Sequence, residues 1–351
     1  MPAQLDTSLS DRSAGACDGE PPIISVVVPV YKEENNIRPF LARTVPVLER
    51  IGSYEIIFAL DPSPDGTERA IRDEIARNRN IGLIVFSRRF GQPAATMAGI
   101  LNCRGQWCVI IDVDLQDPPE MIETLWKKAE EGFDVVTARR ATREGETFVK
   151  NTVARLGYRL INHISEVPIP RDTGDFRIMN RRVVEELRGL SEMHGFLRGL
   201  VGLVGFRQTE VLYRRAARHA GAGNYNRYFG SLKIAFNGIF GFSTFPLQIM
   251  MWTGFALAVA SVFAIIVVLA LKIVHGNEYP MGTPTITVLV LFIGGVQLAA
   301  VGVLGEYIGR IYDEVRRRPP YIIDQAVNLE VRDPRGPKSG MRSARSLSDM
   351  A

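Results

Sequence analysis

Between residues 23 and 138, short and almost wholly apolar runs alternate with segments whose apolar positions recur every three or four residues. The run IISVVVPV at 23–30 is rich in β-branched residues and predicts a buried strand. Helical spacing follows over 36–51, then a strand over 54–60 and a helix over 65–78 opened by a Ser-Pro-Asp-Gly turn. A strand at 81–86, a short helix at 94–101 and a strand at 107–112 continue the series. A helix over 119–131, with Pro in its first turn, precedes a fifth strand at 135–138. Strands alternating with helices at this rhythm predict βαβ crossovers and a largely parallel sheet. Both faces of such a sheet are covered, which accounts for strands that are apolar throughout. Its ligands bind beyond the carboxyl ends of the strands.

The second half reads differently. Residues 141–225 are irregular and rich in Arg and Gly, and 228–240 form an amphipathic stretch. Residues 234–271 and 279–305 carry no Lys, Arg, Asp or Glu. A membrane-spanning helix needs about 20 mostly apolar residues, so spans are expected at 247–271 and 285–305 around a short polar turn. Arg214, Arg215, Arg218, Arg227 and Lys233 precede the first span, Arg310, Arg316, Arg317 and Arg318 follow the second, and the turn offers only Lys272. The positive-inside rule then places both termini and the α/β domain in the cytoplasm and the turn outside, a multi-pass arrangement in an inner (plasma) membrane. The expected organisation is a flexible leader (1–22), an α/β domain (23–225), a juxtamembrane region (226–245), two transmembrane helices (246–309) and a basic cytoplasmic tail (310–351). Past Gln325 the tail is rich in Ser, Arg and Gly and is expected to be disordered.

Composition narrows the function. The 351 residues carry a net charge of +4, with 46% hydrophobic and 23% charged residues, which excludes wholesale disorder. The basic residues cluster near the spans, which fits anionic lipid rather than nucleic acid. Cys17, Cys103 and Cys108 form no C-x-x-C pair, and His163, His194, His219 and His275 are scattered, which argues against a disulfide framework or a structural zinc site. The first 22 residues have no apolar core and do not read as a secretory signal. No GxxxxGK[ST] occurs, so P-loop chemistry is unsupported.

Three polar segments leave the carboxyl ends of strands. After the fourth strand comes Asp112-Val113-Asp114-Leu115-Gln116-Asp117-Pro118-Pro119. Two carboxylates one residue apart make a good oxygen site for Mg²⁺, which takes one or two protein carboxylates and completes its shell with substrate phosphates and water. Gln116 adds a possible oxygen, and Asp117 is expected to cap the next helix. A solvated Asp-rich turn is the competing reading of these residues taken alone. Pro29-Val30-Tyr31-Lys32-Glu33-Glu34-Asn35 ends the first strand and Asp61-Pro62-Ser63-Pro64-Asp65-Gly66-Thr67 the second. Polar turns after strands one, two and four converge on one sheet edge, the expected ligand crevice.

The segments IISVVVPVYKEENNI, DPSPDGT, SRRFGQPAA, IDVDLQDPPEMI, RDTGDFRIMNRRVV and RGLVGLVGF occur in this order. They resemble the family 2 glycosyltransferases that act on polyprenyl phosphates, the bactoprenol glucosyltransferase and dolichol-phosphate mannose synthase group, over about residues 23–323. The resemblance implies an α/β GT-A nucleotide-sugar domain followed by a two-helix transmembrane hairpin. It implies that Pro29, Tyr31 and Glu33 line the nucleotide pocket and that Asp61 accepts a hydrogen bond from the base. Asp112 would face ribose and metal, with Asp114 as the main ligand of Mg²⁺ or Mn²⁺ and Gln116 beside it. Asp175, read as part of a Thr173-Gly174-Asp175-Phe176 turn, stands where the family has its catalytic carboxylate. Arg139, Lys150, Arg177 and Arg218 fall in segments that supply cations to phosphates.

The implied reaction is inverting transfer of one hexose, glucose-like, from a nucleotide-diphosphate sugar (a UDP-sugar) to a polyprenyl phosphate at the membrane, by a homo-oligomer. The sequence departs from the family pattern at Lys32, where Asn is usual, at Leu60-Asp61-Pro62, and at Gly223-Asn224, where Ser-Lys is common. Two rival readings stand beside this one. A processive polysaccharide synthase would need more spans and a Q-x-x-R-W-type motif, which this sequence lacks. A catalytically degenerate assembly partner that binds lipid or nucleotide sugar is the other.

Overall fold

The computed structural model describes residues 20–141, 173–190, 197–213, 243–275, 283–316 and 318–331. Its first part follows the expected alternation: β1 (Ile24–Val30), α1 (Glu34–Ile51), β2 (Tyr54–Leu60), α2 (Thr67–Ile75), β3 (Ile81–Phe86), α3 (Gln92–Asn102), β4 (Trp107–Ile110), α4 (Met121–Glu130) and β5 (Val135–Arg140). Then come β6 (Thr173–Asn180), α5 (Arg181–Gly189), α6 (Leu197–Val204), β7 (Gln208–Tyr213), α7 (Phe245–His275), α8 (Thr283–Val315) and β8 (Ile323–Val327).

The eight strands form one sheet in the order β7-β5-β6-β4-β1-β2-β3-β8. β1 pairs in parallel with β2 and β4, β2 with β3, and β5 with β7. β6 runs antiparallel between β4 and β5, and β8 runs antiparallel along β3. The sheet is therefore mixed, and less parallel than the apolar runs alone suggest. Every residue of β1, β2 and β3 is buried. One face packs Phe40, Leu48, Ile71, Ile122 and Leu125 from α1, α2 and α4, and the other packs Ala98, Ile100, Val183, Leu187 and Leu200 from α3, α5 and α6. Each fully buried Leu, Ile or Phe contributes about 1.5–3 kcal/mol, so this two-sided core makes a rigid platform for the strand ends. Cys103 and Cys108 are buried free thiols.

Two expectations change here. Asp175 lies in strand β6, not in a turn. Residues 310–315 belong to α8, and 323–327 form β8, so part of the expected tail is folded onto the sheet.

The two long helices occupy the segments expected to span a membrane. α7 has 31 residues and α8 has 33. Among the described residues, one stretch, Phe292–Val315, is long and apolar enough to cross a membrane, and the apolar run Phe245–Leu257 in α7 is shorter. Trp252, Phe255, Phe263, Leu298, Val301 and Ile311 point outward from these helices, exposed. The Tyr307 hydroxyl donates to the Ser243 carbonyl at 2.6 Å, tying α8 to the start of α7.

Candidate active site

The turns after β1 and β2 are bonded to each other. The Lys32 N–H donates to Ser63 Oγ at 2.8 Å and the Glu33 N–H to Thr67 Oγ1 at 2.9 Å. In return Glu34 accepts the Gly66 N–H at 3.0 Å. Lys32 adopts φ 58°, a left-handed conformation that side chains with a Cβ rarely take. Pro29 is buried, and Tyr31 and Glu33 are half-buried at this edge. The Glu33 carboxylate accepts from Asn36 Nδ2 at 2.5 Å.

Asp61 is buried, and its two oxygens accept the N–H groups of Phe90 (2.9 Å) and Gly91 (2.8 Å). Each oxygen keeps a further lone pair. Asp61 thus sets the shape of the loop between β3 and α3, and Gly91, at φ 92°, supplies the turn that a side chain would strain. The Arg89 guanidinium stacks 4.0 Å from the centre of the Tyr31 ring, and Arg88 stacks 4.0 Å from that of Phe90. These two cations were absent from the expected set, although the motif SRRFGQPAA contains them.

Past β4, Asp112 is half-buried and accepts from Gln92 Nε2 at 2.9 Å, while Asp114 is buried and accepts the Gln116 N–H at 3.1 Å. Leu115, between Asp114 and Gln116, is buried at φ 59°, a conformation that turns the chain sharply just after the acid pair. No group of three or more His, Cys, Asp or Glu side chains stands ready to hold a metal among the described residues. Two carboxylates and an amide nevertheless fit a hard divalent ion whose remaining ligands come from a substrate diphosphate and water.

Asp117 is not the expected cap. α4 begins at Met121, with Glu120 at its N-cap position. Asp117 is buried instead, accepting from the Tyr213 hydroxyl and lying 4.0 Å from Arg140 Nη2. Burial and the Asp117 carboxylate push the Tyr213 hydroxyl well above its ordinary pKa, so it remains a neutral donor. Arg140 also reaches the Tyr213 oxygen, at 3.4 Å, and its charge acts on Asp112 and on Asp175. Gly174 leaves it room: a Cβ there would lie 3.0 Å from Arg140 Nη2.

Arg139, the expected cation, pairs instead with Glu210 of β7 at 3.1 Å. Successive strand residues point to opposite faces, so only one of the two arginines reaches the acids. Asp175 accepts from Arg198 Nε at 2.9 Å. Burial would raise its pKa, but Arg198, Arg177 and Arg140 outweigh that effect and hold it below the usual carboxylate range. Arg177 is buried behind it and bonds the Gly174 carbonyl at 3.2 Å. Burial pushes its pKa down to about 10. Lys150 and Arg218, the two other expected cations, lie outside the described residues, as do Gly223 and Asn224. Acids and cations therefore gather at one sheet edge: Asp112 and Asp114 past β4, Asp175 with Arg198 at the start of β6, and Arg140 at the end of β5.

Such an edge can hold a nucleotide diphosphate and a second anionic group at once. Residues 25–188 match the family described as glycosyl transferase family 2. The chain is 41% identical over 308 residues to an uncharacterized glycosyltransferase of Synechocystis sp., covering 88% of this chain and 96% of that protein. It is 41% identical over 307 residues to a prophage-derived bactoprenol glucosyl transferase of Shigella flexneri, covering 86% of this chain and 98% of the relative. Among solved structures, mannosyl-3-phosphoglycerate synthase from Rubrobacter xylanophilus aligns with a TM-score of 0.43 at 16% identity, covering 62% of this chain and 71% of that one.

Proposed function

The chain belongs to glycosyltransferase family 2, and we propose that it moves one glucose-like hexose from a UDP-sugar to a polyprenyl phosphate at the cytoplasmic membrane face, with inversion and with a divalent metal. The observation that carries this reading is that Arg140, 4.0 Å from Asp117, brings its positive charge to bear both on Asp112 past β4 and on the cation-flanked Asp175 of β6. A likeness of 41% to a bactoprenol glucosyl transferase across most of both chains supports the lipid acceptor.

Asp112 and Asp114, with Gln116 beside them, would hold Mg²⁺ or Mn²⁺, which neutralises charge on a departing nucleoside diphosphate. Tyr31 and the Arg89 stacked on it offer a flat surface to the base, next to Asp61. Arg140 supplies positive charge where phosphate oxygens gather. The acceptor monoester, with a second pKa of about 6, is already largely ionised near neutrality. A carboxylate held below its usual range is a poor base under those conditions. Asp175 therefore orients the acceptor or steadies positive charge on the sugar, without abstracting a proton.

Helix α8 anchors the enzyme beside its lipid substrate, and α7 completes a two-span hairpin with both termini inside. The turn residues 276–282 lie outside the described residues, and a topology reporter inserted there, read against reporters at both termini, tests the orientation. Incubating membranes with a panel of labelled nucleotide sugars tests the donor. Label from UDP-glucose in a lipid fraction is the expected result, and label from another nucleotide sugar alone would reassign it.

A further inference from the structure

The last described segment runs from the end of α8 back onto the α/β domain. After Arg318 the chain reads Pro319-Pro320-Tyr321, and a Pro-Pro pair is a stiff, extended spacer. β8 then covers the open edge of β3, with Phe86 opposite Ile323 and Val85 opposite Gln325. The pairing slips by one residue between Val85 and Phe86, a bulge that bends the strand where the loop begins. The Ser87 N–H, the first group of that loop, donates to the Ile322 carbonyl at 3.0 Å. Side chains add to this ladder: Arg72 Nη2 of α2 donates to Gln325 Oε1 at 2.7 Å and Asn328 Nδ2 to the Ile81 carbonyl of β3 at 2.7 Å.

Tyr321 is 1% exposed, and it is the largest fully buried side chain of the described residues. Its ring meets Phe86 edge-on at 5.8 Å, and Phe86 meets Phe90 at 6.0 Å. Its hydroxyl shares a hydrogen bond with the Asn102 side chain at the end of α3. The same Phe90, with Gly91, donates its N–H to Asp61, and Arg89, just before Phe90, stacks on Tyr31. The loop is thus held at both ends, by Asp61 on the ligand side and by Tyr321 and Ile322 beneath it.

We propose that Tyr321 is a positioning residue for the donor and that the segment 321–327 is a strap belonging to the nucleotide-sugar site. Resting on the function proposed above, this makes the chain after the membrane helix a determinant of donor affinity. Covering a strand edge is a sufficient reason for β8 alone. It does not require an aromatic wedge under the one loop that carries Arg89, Phe90 and Gly91.

The test uses the full chain in detergent with Mn²⁺, and UDP and GDP as probes, for the wild type, Tyr321→Phe, Tyr321→Leu and the remote core variant Val47→Ala. Tyr321→Leu keeps most of the buried volume, so that it folds. The expected result is a weakening of nucleotide Kd by about tenfold in Tyr321→Leu, in line with the cost of small misplacements. Tyr321→Phe, which keeps the ring, should recover most of it, and Val47→Ala should lose stability with its Kd unchanged. Hydrogen exchange over residues 87–91 should rise in Tyr321→Leu in the absence of any nucleotide. A Tyr321→Leu protein with wild-type Kd, or with unchanged exchange in that loop, would overturn the proposal. A wild type that binds neither nucleotide, with the exchange difference intact, would instead count against the proposed function.

Discussion

Arg198 on α6 donates to the Asp175 carboxylate on β6 at 2.9 Å, joining two segments that are 23 residues apart in sequence. With Arg177 and Arg140 nearby, this contact outweighs burial and keeps Asp175 ionised below the usual carboxylate range. A lowered folded pKa means that the stabilisation is present above the unfolded value of about 3.9 and is lost as pH falls through the folded value. Asp175 is thus charged throughout the range in which the acceptor phosphate loses its second proton. Asp175→Asn should lower kcat by about 100-fold, the scale of removing one electrostatic contact to a transition state, without moving the acid limb of the pH–rate profile. Steep recovery of the mutant at alkaline pH, as hydroxide replaces a missing base, would show that Asp175 abstracts a proton after all.

Arg139 and Arg140 are adjacent, yet only Arg140 faces the acids. Arg140→Ala should cost about 100-fold in kcat/KM. Arg139→Ala removes only a surface pair with Glu210 and should change stability by less than about 1 kcal/mol, with activity retained. Steady-state kinetics of both variants, with melting curves, decide between them. The opposite ranking would assign the phosphate-facing cation to Arg139.

Asp114 bears on the metal. Asp114→Ala should abolish transfer and remove the response to added Mn²⁺, while the protein stays folded in membranes. Chelation with EDTA should silence the wild type, and Mg²⁺ or Mn²⁺ should restore it. Full turnover in EDTA would remove the metal from the account.

Lys32 carries a left-handed backbone at an exposed position. Asn tolerates that conformation far better than Lys, which gives a physical reason for the usual Asn at this place in the family. Lys32→Asn should raise unfolding stability by about 0.5–1 kcal/mol. Denaturant unfolding measures it, and a destabilised Lys32→Asn would mean that contacts of the Lys32 side chain outweigh the backbone strain.

These residues also show what could be read before the fold was known. The ends of β1, β2 and β4 were legible because each strand is a continuous apolar run followed at once by polar residues, as in IISVVVPV before Tyr31. The motif marks Asp175, but its Thr-Gly-Asp start reads as a turn, because the antiparallel strand inserted between β4 and β5 lacks an apolar run. Arg140 and Arg139 cannot be told apart by position, since the choice depends on which face each strand residue takes. Arg198 stands in a Gly-containing helical stretch that carries no charge pattern of its own. β8 reads Ile-Asp-Gln-Ala-Val and is fixed by backbone bonding to β3, a partner more than 200 residues away.

The most direct test of the central claim is the product itself. Purified full-length protein, UDP-glucose, Mn²⁺ and a short-chain polyprenyl phosphate should yield a lipid whose mass has grown by a single hexose, with the anomeric configuration inverted by NMR. Asp114→Ala and Asp175→Asn should form it far more slowly. A ladder of lipids bearing several sugars would indicate a polymerase, and UDP-glucose consumed without any glycosylated lipid would contradict the proposed acceptor.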